Sequence, residues 1–436
     1  MSPTRRDFLK TTGSVAAAAG LGVTPGLAQP GARRRYAIIG TGVRGIGMWG
    51  RPLLQRYSDA VDFVGLCDIN PKRAELAKAA LGVSCPTYSS FDEMCDKAKP
   101  ELLTVTTVDR FHAEYIVKAL DRGIDVITEK PMVTDEEQCQ DVLEAEKRNK
   151  RKIVVGFNYR FAPKHVKIKE LLQAGEIGTV TGVDFHWYLD TSHGADYFRR
   201  WHRLRQNGSL WVHKATHHFD LINWWLAADP VEVQAYGELS HYGKKGPFHH
   251  TNCRPCPDKA NCQFYWDITK ARGMQLYTEA ESVDGYLRDG CVFKNDIDIW
   301  DTMSATVRYS NNVLMSYSLN TFMPIEGYHL AFNGTKGRLE VRDYERQPWE
   351  ATEESDIQLI RNFGKREKIV VPKADSGHGG GDSRLQDLIF KKIEAPKHLQ
   401  LPDSRAGAMS CLTGIAARKS IDEKKPILIS DLVKLA

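Results

Sequence analysis

A glycine-spaced turn, a lysine closing an apolar run and two histidines four residues apart are the groups in this chain whose types and spacing could do chemistry. The turn is Gly40-Thr41-Gly42-Val43-Arg44-Gly45, preceded by the apolar run 35–39 and followed by helical spacing at Ile46, Trp49, Leu53 and Leu54. Strand, glycine turn and helix in succession predict a dinucleotide cradle, because glycines permit a tight turn and close backbone approach while a helix N-terminus attracts pyrophosphate. Asp68 follows Gly45 by 23 residues, the offset expected of a carboxylate on the adenosine ribose. It favours NAD, and Lys72 and Arg73 leave NADP open.

Lys130 comes directly after the run 124–128 and Glu129, and before Pro131. Taking a hydride from a carbon requires taking a proton from the attached hydroxyl, and an ammonium can hold or polarise the oxygen as its charge develops. Further on, His213-Lys214-Ala215-Thr216-His217-His218-Phe219-Asp220 opens a segment with apolar spacing through Leu221, Ile222 and Trp225. Histidines 213 and 217 are expected on one helix face, which suits a proton relay and a metal pair alike. His217 is read as general base or hydroxyl partner, Lys214 as added positive charge, and Asp220 as a cap or orienting group.

Cys253-x-x-Cys256-x5-Cys262, with Cys291 downstream, has spacing suited to a structural, tetrahedral zinc, while disulfides and an iron–sulfur cluster compete for the same residues. Cys67, Cys85, Cys95, Cys139 and Cys411 read as small buried thiols. Trp187 and Tyr188 offer aromatic faces of the kind that stack on sugars. The glycine-rich stretch 377–381 carries His378 and Asp382 as polar tips.

The elements that must position these groups alternate strand and helix from residue 34 to about 157, which predicts a parallel Rossmann sheet. Lys130 then falls between a strand's carboxyl end and a helix begun by a capping box of Thr134 and Glu137, where open α/β sheets bind ligands. Beyond residue 158 the pattern becomes a mixed α+β domain, 158–436, on a large and mostly antiparallel sheet, with the cysteines in an insertion at about 240–292. The stretch 412–421 reads as an amphipathic helix. The fold class is α/β, with a Rossmann domain over 34–157 and this α+β domain after it.

These residues resemble a family: the glucose-fructose oxidoreductase, inositol dehydrogenase and rhizopine-catabolism (Gfo/Idh/MocA) oxidoreductases. The matching pieces are Gly40 to Gly45, Cys67-Asp68, Thr106-Thr107 with His112, Glu129-Lys130-Pro131, Asn158-Tyr159-Arg160 and His217-x-x-Asp220. The resemblance implies an NAD(P)-dependent enzyme acting on sugars, polyols or glycosides, with Lys130 near nicotinamide and substrate. It brings Val43, Arg44, Thr106, His112, Glu129 and Asn158 to the cofactor and Arg160, Lys214, Asp220, Trp187 and Tyr188 to the substrate. It also implies a homodimer or tetramer formed through the open sheet face. His213 stands where the family shows an acidic residue and Ala215 where it shows glycine, so acid–base roles are not carried over directly.

Thr4-Arg5-Arg6-Asp7-Phe8-Leu9-Lys10, followed by an Ala- and Gly-rich stretch ending in Gly26-Leu27-Ala28, reads as a twin-arginine export signal over 1–28, cleaved after Ala28. The stretch is too short and too weakly apolar to span a membrane. A net charge of +5, with no basic block interleaved with aromatic residues, gives no support to nucleic-acid binding. An extracytoplasmic or periplasmic protein has no dependable pool of nicotinamide cofactor, so the cofactor is expected to stay bound and be recycled in the site. Three readings follow: a sugar or polyol oxidoreductase, a redox-assisted glycosidase working through a transient keto-sugar, and a non-catalytic carbohydrate-binding Rossmann protein.

Overall fold

The computed structural model describes residues 33–374, 377–391 and 393–434, so the export signal and its cleavage site lie outside the described residues. Six strands form the first sheet: β1 (Arg34–Ile39), β2 (Val61–Cys67), β3 (Thr87–Tyr88), β4 (Leu102–Val105), β5 (Asp125–Thr128) and β6 (Ile153–Val155). Their order is β3-β2-β1-β4-β5-β6 and every pairing is parallel. Apolar runs without polar alternation suit strands covered on both faces.

The parallel register pairs Ile39 with both Cys67 and Val105. One step further, the Gly40 amide donates to Cys67, the Thr106 amide to Ile39 and the Glu129 amide to Val105. Gly40, Asp68, Thr106 and Glu129 therefore leave neighbouring strands side by side, at the point where the strand order reverses and open sheets bind ligands.

The helix after the glycine turn departs from the expected plain α-helix. Gly45–Gly50 is wound as a wider π-turn before Arg51–Arg56 continues as α-helix. Pro52 has no N–H to offer the carbonyl of Met48, and that carbonyl accepts from Gln386 Nε2 at 2.6 Å instead. The capping box also differs. Asp135 is the N-cap, accepting from the Gln138 amide at 2.9 Å, and Gln138 Oε1 accepts from the Thr134 amide at 3.0 Å. Gln138, not Glu137, closes the box because the helix begins one residue later, at Glu136.

The second sheet has nine strands: β7 (Val180–Asp190), β8 (Pro230–Glu238), β9 (Thr302–Tyr309), β10 (Leu314–Met323), β11 (Glu326–Gly334), β12 (Gly337–Arg346), β13 (Asp356–Arg361), β14 (Arg366–Ile369) and β15 (Ile427–Leu428). Its order is β14-β13-β12-β11-β7-β10-β9-β8-β15, antiparallel except where β7 meets β10. Helix Ser404–Glu423 is buried without a break from Gly407 to Ala417. It is not amphipathic in its middle because β8, helix Ala215–Leu226 and helix Glu136–Asn149 all press on it, which its small residues Gly407, Ala408, Gly414, Ala416 and Ala417 allow.

Late chain segments complete the first sheet's packing. Helix Gly381–Phe390 sets Leu385 and Phe390 among Tyr36, Trp49, Leu53 and Tyr57, and the Val155 amide donates to the Pro402 carbonyl. Leu385→Ala is expected to destabilise the protein by about 2–5 kcal/mol, the usual cost of emptying a fully buried leucine site. Denaturant unfolding of the two proteins measures it.

Candidate active site

One cavity of about 1380 Å³ runs from the strand ends of the first sheet to the second, larger than the roughly 300–1000 Å³ of a typical single-ligand pocket. Gly40, Gly42, Val43, Arg44, Asp68 and Thr106 line one end, and Lys130, His213, Lys214 and His217 line the other. Among the described residues the chain thus offers a continuous channel from the cradle to this cluster of lysines and histidines.

The cradle fits a dinucleotide. Gly40 has φ +88°, and a Cβ there would lie 2.5 Å from the Thr106 backbone, so only glycine fits. Gly45 closes the turn, where a Cβ would collide with the Gly40 carbonyl. Thr106 Oγ1 donates to that carbonyl at 2.5 Å. Arg44 Nε and Trp49 Nε1 both donate to Glu129 Oε1 at 2.7 Å, so the buried Glu129 ties the glycine turn to the lysine loop. Asp68 is buried and already accepts four hydrogen bonds, from the Thr41 amide and hydroxyl, the Asn70 amide and Arg73 Nη1.

At the other end Lys130 Nζ donates to the His213 carbonyl at 2.9 Å and lies 3.5 Å from His213 Nε2. The loop carrying it is held by His112, whose ring nitrogens meet the carbonyls of Pro131 and Thr107 at 2.7 and 3.1 Å. Burial pushes the Lys130 amine down to about 8, against the opposing pull of Asp109 and Glu129. Asp109 Oδ2 lies 2.5 Å from His213 Nδ1, and His202 Nε2 is 3.1 Å from the same nitrogen. Burial raises the Asp109 carboxyl well above the usual carboxylate range, against the pull of Lys130 and Arg200; when ionised it takes Nδ1–H and leaves Nε2 of His213 as an acceptor facing Lys130. Burial drives the imidazoles of His202, His213 and His217 well below the usual histidine range, and Lys130 adds to this, so all three are neutral at pH 7.

The expectation that His213 and His217 share one helix face is corrected. The helix breaks at Lys214, giving Ser209–His213 and Ala215–Leu226. His213 turns to Asp109 and His202, while His217 stacks on Tyr159 at 4.5 Å and approaches His378 at 6.3 Å. Among the described residues two groups have metal-like spacing instead: Asp109, His202 and His213 here, and His250, Cys256 and Asp258 at the cysteine cluster. The neighbouring cations Lys130 and Arg200 oppose a dication at the first.

Four other expected positions fall elsewhere. Arg160 and Asp220 form a bidentate pair at 2.8 and 2.5 Å, away from the cavity lining, and burial raises Asp220 to about 6. Each is the other's partner, as a buried carboxylate requires. Tyr188 is on the opposite face of β7 from Trp187, against His329 at 5.3 Å, as strand alternation requires. Asn158 donates to Asp382 and does not line the cavity. Tyr159, between Asn158 and Arg160, does line it. Trp187 lines it too, stacked on His218 at 4.1 Å and Tyr328 at 4.9 Å, with Lys214 Nζ 4.8 Å from its ring. The glycine-rich stretch delivers His378 and Asp382, 3.0 Å apart, to the same wall.

Asp109, Tyr197, Arg200 and Tyr277 line the cavity without having been singled out from sequence. Asp109 had a usable signal, its place just past the end of β4.

Cysteines 253, 256, 262 and 291 line one small void with Arg199 and Phe264, and Arg199 Nη1 donates to Cys253 Sγ at 3.0 Å. All nine cysteines are free thiols, so no disulfide joins this group, and the other five are buried.

Sequence models of the oxidoreductase family's NAD-binding Rossmann fold and of its C-terminal alpha/beta domain match residues 34–157 and 169–429. The chain belongs to the Gfo/Idh/MocA oxidoreductase family. A model of the twin-arginine translocation signal matches residues 2–22. This family member is 41% identical to YteT of Bacillus subtilis (strain 168) over 92% of this chain and 99% of that protein. It is 27% identical to inositol 2-dehydrogenase/D-chiro-inositol 3-dehydrogenase of Lactiplantibacillus plantarum, over 45% of this chain and 54% of that one. The WlbA dehydrogenase of Bordetella pertussis, solved with NADH and UDP-GlcNAcA, shares the fold with a TM-score of 0.62 at 17% identity, covering 93% of this chain and all of that one. Among the described residues no helix is long and apolar enough to cross a membrane.

Asp109→Asn removes the carboxylate that favours the Lys130 ammonium. The Lys130 midpoint is expected to fall below its value of about 8, as read from the pH dependence of lysine acylation in the two proteins.

Proposed function

We propose that this Gfo/Idh/MocA member is an exported NAD-dependent oxidoreductase of a sugar, polyol or glycoside that keeps and recycles one bound dinucleotide. The observation that carries this is the single cavity linking the glycine cradle to Lys130, His213 and His217. Asp68 with Arg73 supports NAD over NADP, because Arg73 is already held by Asp68 and Asp284 and has no charge to spare for a 2′-phosphate. In this reading residues 34–157 hold the cofactor and 158–436 shape the substrate pocket. The matched signal supports periplasmic delivery, with residues 1–28 removed. A homo-oligomer through the open sheet face around Tyr188 accords with that face being incompletely buried.

The bound dinucleotide supplies the hydride acceptor. Lys130 takes the hydroxyl proton of the carbon being oxidised, and its lowered midpoint makes a neutral amine accessible near pH 8. His213, oriented by Asp109, accepts from Lys130 through Nε2. His217, neutral and stacked on Tyr159, offers a second acceptor on another side of the pocket. Lys214 over Trp187 contributes positive charge that steadies a developing alkoxide.

Two separate proton-handling groups, Lys130 with His213 and His217 with His378, exceed what one hydroxyl requires. This favours a second reading, a glycosidase in which a transient ketone enables elimination and the hydride then returns. Release of the aglycone from an aryl glycoside, without added cofactor or net NADH, distinguishes it from transfer to a second sugar.

Denaturing the purified protein is expected to release nicotinamide dinucleotide. A folded sample that releases none, and binds none when it is added, favours the carbohydrate-binding reading. Substrate oxidation is expected to rise with pH through about 8 as Lys130 loses its proton. Lys130→Met is expected to lower kcat by about 10²–10⁴, the usual contribution of a positioned proton acceptor, while dinucleotide content stays unchanged.

We also infer that Cys253, Cys256, Cys262 and Cys291 hold a structural zinc; they line one void with an Arg199 donor to sulfur, although ligand spacing is met there by His250, Cys256 and Asp258 and the thiols would have to draw closer around the ion. Metal analysis is expected to give one zinc per chain, lost in Cys256→Ser.

A further inference from the structure

β8 and β9 are adjacent antiparallel strands, a pair that a turn of about 2–5 residues could join. Residues 239–301 intervene instead. Long excursions of this kind are commonly functional, and this one leaves the second sheet to reach the glycine turn of the first. The hydroxyl of Tyr277 accepts from the Val43 amide at 3.2 Å. A Cβ on Gly42 would lie 2.9 Å from the same hydroxyl. Leu276 packs with Ile46 and Ala77, on the two helices that flank the cradle. Asn70 Nδ2 donates to the Ala280 carbonyl at 2.9 Å, and Arg73 joins Asp68 on its own side to Asp284 on the other.

The base of this segment is fixed as firmly as its tip. Arg254 binds Glu281 at 2.9 and 2.6 Å and Asp289 at 3.0 and 3.1 Å. The Cys253 amide donates to the Asp289 carbonyl, and the four-thiol group spans both ends, with Cys253, Cys256 and Cys262 before the tip and Cys291 after it. Arg288 pairs with Asp196 at 2.7 Å and anchors the return path.

We propose that residues 274–286 are a strap that retains the dinucleotide, with Tyr277 and Leu276 closing the phosphate-binding turn from outside so that the cofactor leaves only when the strap lifts. The proposal rests on the dinucleotide reading above and deepens it. An enzyme working where no cofactor is resupplied needs slow release more than tight equilibrium binding, and a covering segment acts on the dissociation rate. Tyr277 takes part through its hydroxyl at the cradle. Leu276 acts only by docking the strap, without lining the cavity.

The test is the rate at which NADH leaves the full-length protein, followed by nicotinamide fluorescence after mixing the loaded protein with excess NAD. Tyr277→Ala and Leu276→Ser are each expected to speed release by about tenfold or more, the scale of one lost hydrogen bond or buried side chain. Leu276→Met, which keeps the apolar contact, is expected to release as the parent does. An unchanged unfolding midpoint in Tyr277→Ala shows that its effect is local, and NADH release from Leu276→Ser is measured well below that variant's own midpoint, since emptying a buried leucine site lowers stability. Parent-like release from both Tyr277→Ala and Leu276→Ser overturns the strap, and slower release from Tyr277→Ala overturns it in favour of a hydroxyl that competes with the cofactor. If NADH binds and releases at one rate in every variant, the strap fails while the dinucleotide reading stands. A parent protein that binds no NADH ends both.

Discussion

The level alignment of three parallel strands is the constraint on which the rest of this molecule leans. Ile39 meets Cys67 on one side and Val105 on the other, so the residues just beyond emerge together. A slip of one residue would turn every side chain at those ends to the opposite face. The carboxylate of Asp68, the hydroxyl of Thr106 and the carboxylate of Glu129 would then no longer surround one crevice. Glu129 extends the alignment by accepting from both Arg44 and Trp49, and the lysine that follows it inherits its position from that anchor.

Around Lys130 the chain concentrates basic groups in a place poorly reached by water. Desolvation alone would make such a site costly. The cost is reduced because the histidines there are neutral and because Asp109 faces the one that touches the lysine. The same burial lowers the lysine midpoint to about 8, so the pocket reduces the charge it has to hold.

Much of this was legible from the chain, and the reasons for the exceptions are physical. The glycine turn, its flanking strand and helix, and the lysine at a strand end are local patterns, and local patterns survive in sequence. Whether a charged residue faces a substrate or a partner depends on what the fold brings to it from far away. Arg160 and Asp220, 60 residues apart, satisfy each other, which nothing in either neighbourhood announces. In Asn158-Tyr159-Arg160 the conspicuous polar residues turn to Asp382 and Asp220, and the aromatic between them lines the cavity. A continuous helix would set His213 beside His217, and the break at Lys214 sends it to Asp109 instead. The reach of Tyr277 across to Val43 spans 234 positions, beyond what spacing can reveal.

Pro52 leaves the Met48 carbonyl without its helical donor, and Gln386 fills the vacancy. During synthesis the ribosome delivers the nucleotide-binding half long before Gln386, Leu385 and Phe390 exist. Until then the Met48 carbonyl has only water to pair with and the flank of Trp49, Leu53 and Tyr57 lacks that cover. Packing of the helix after the glycine turn is thereby completed by residues that leave the ribosome more than 300 positions later.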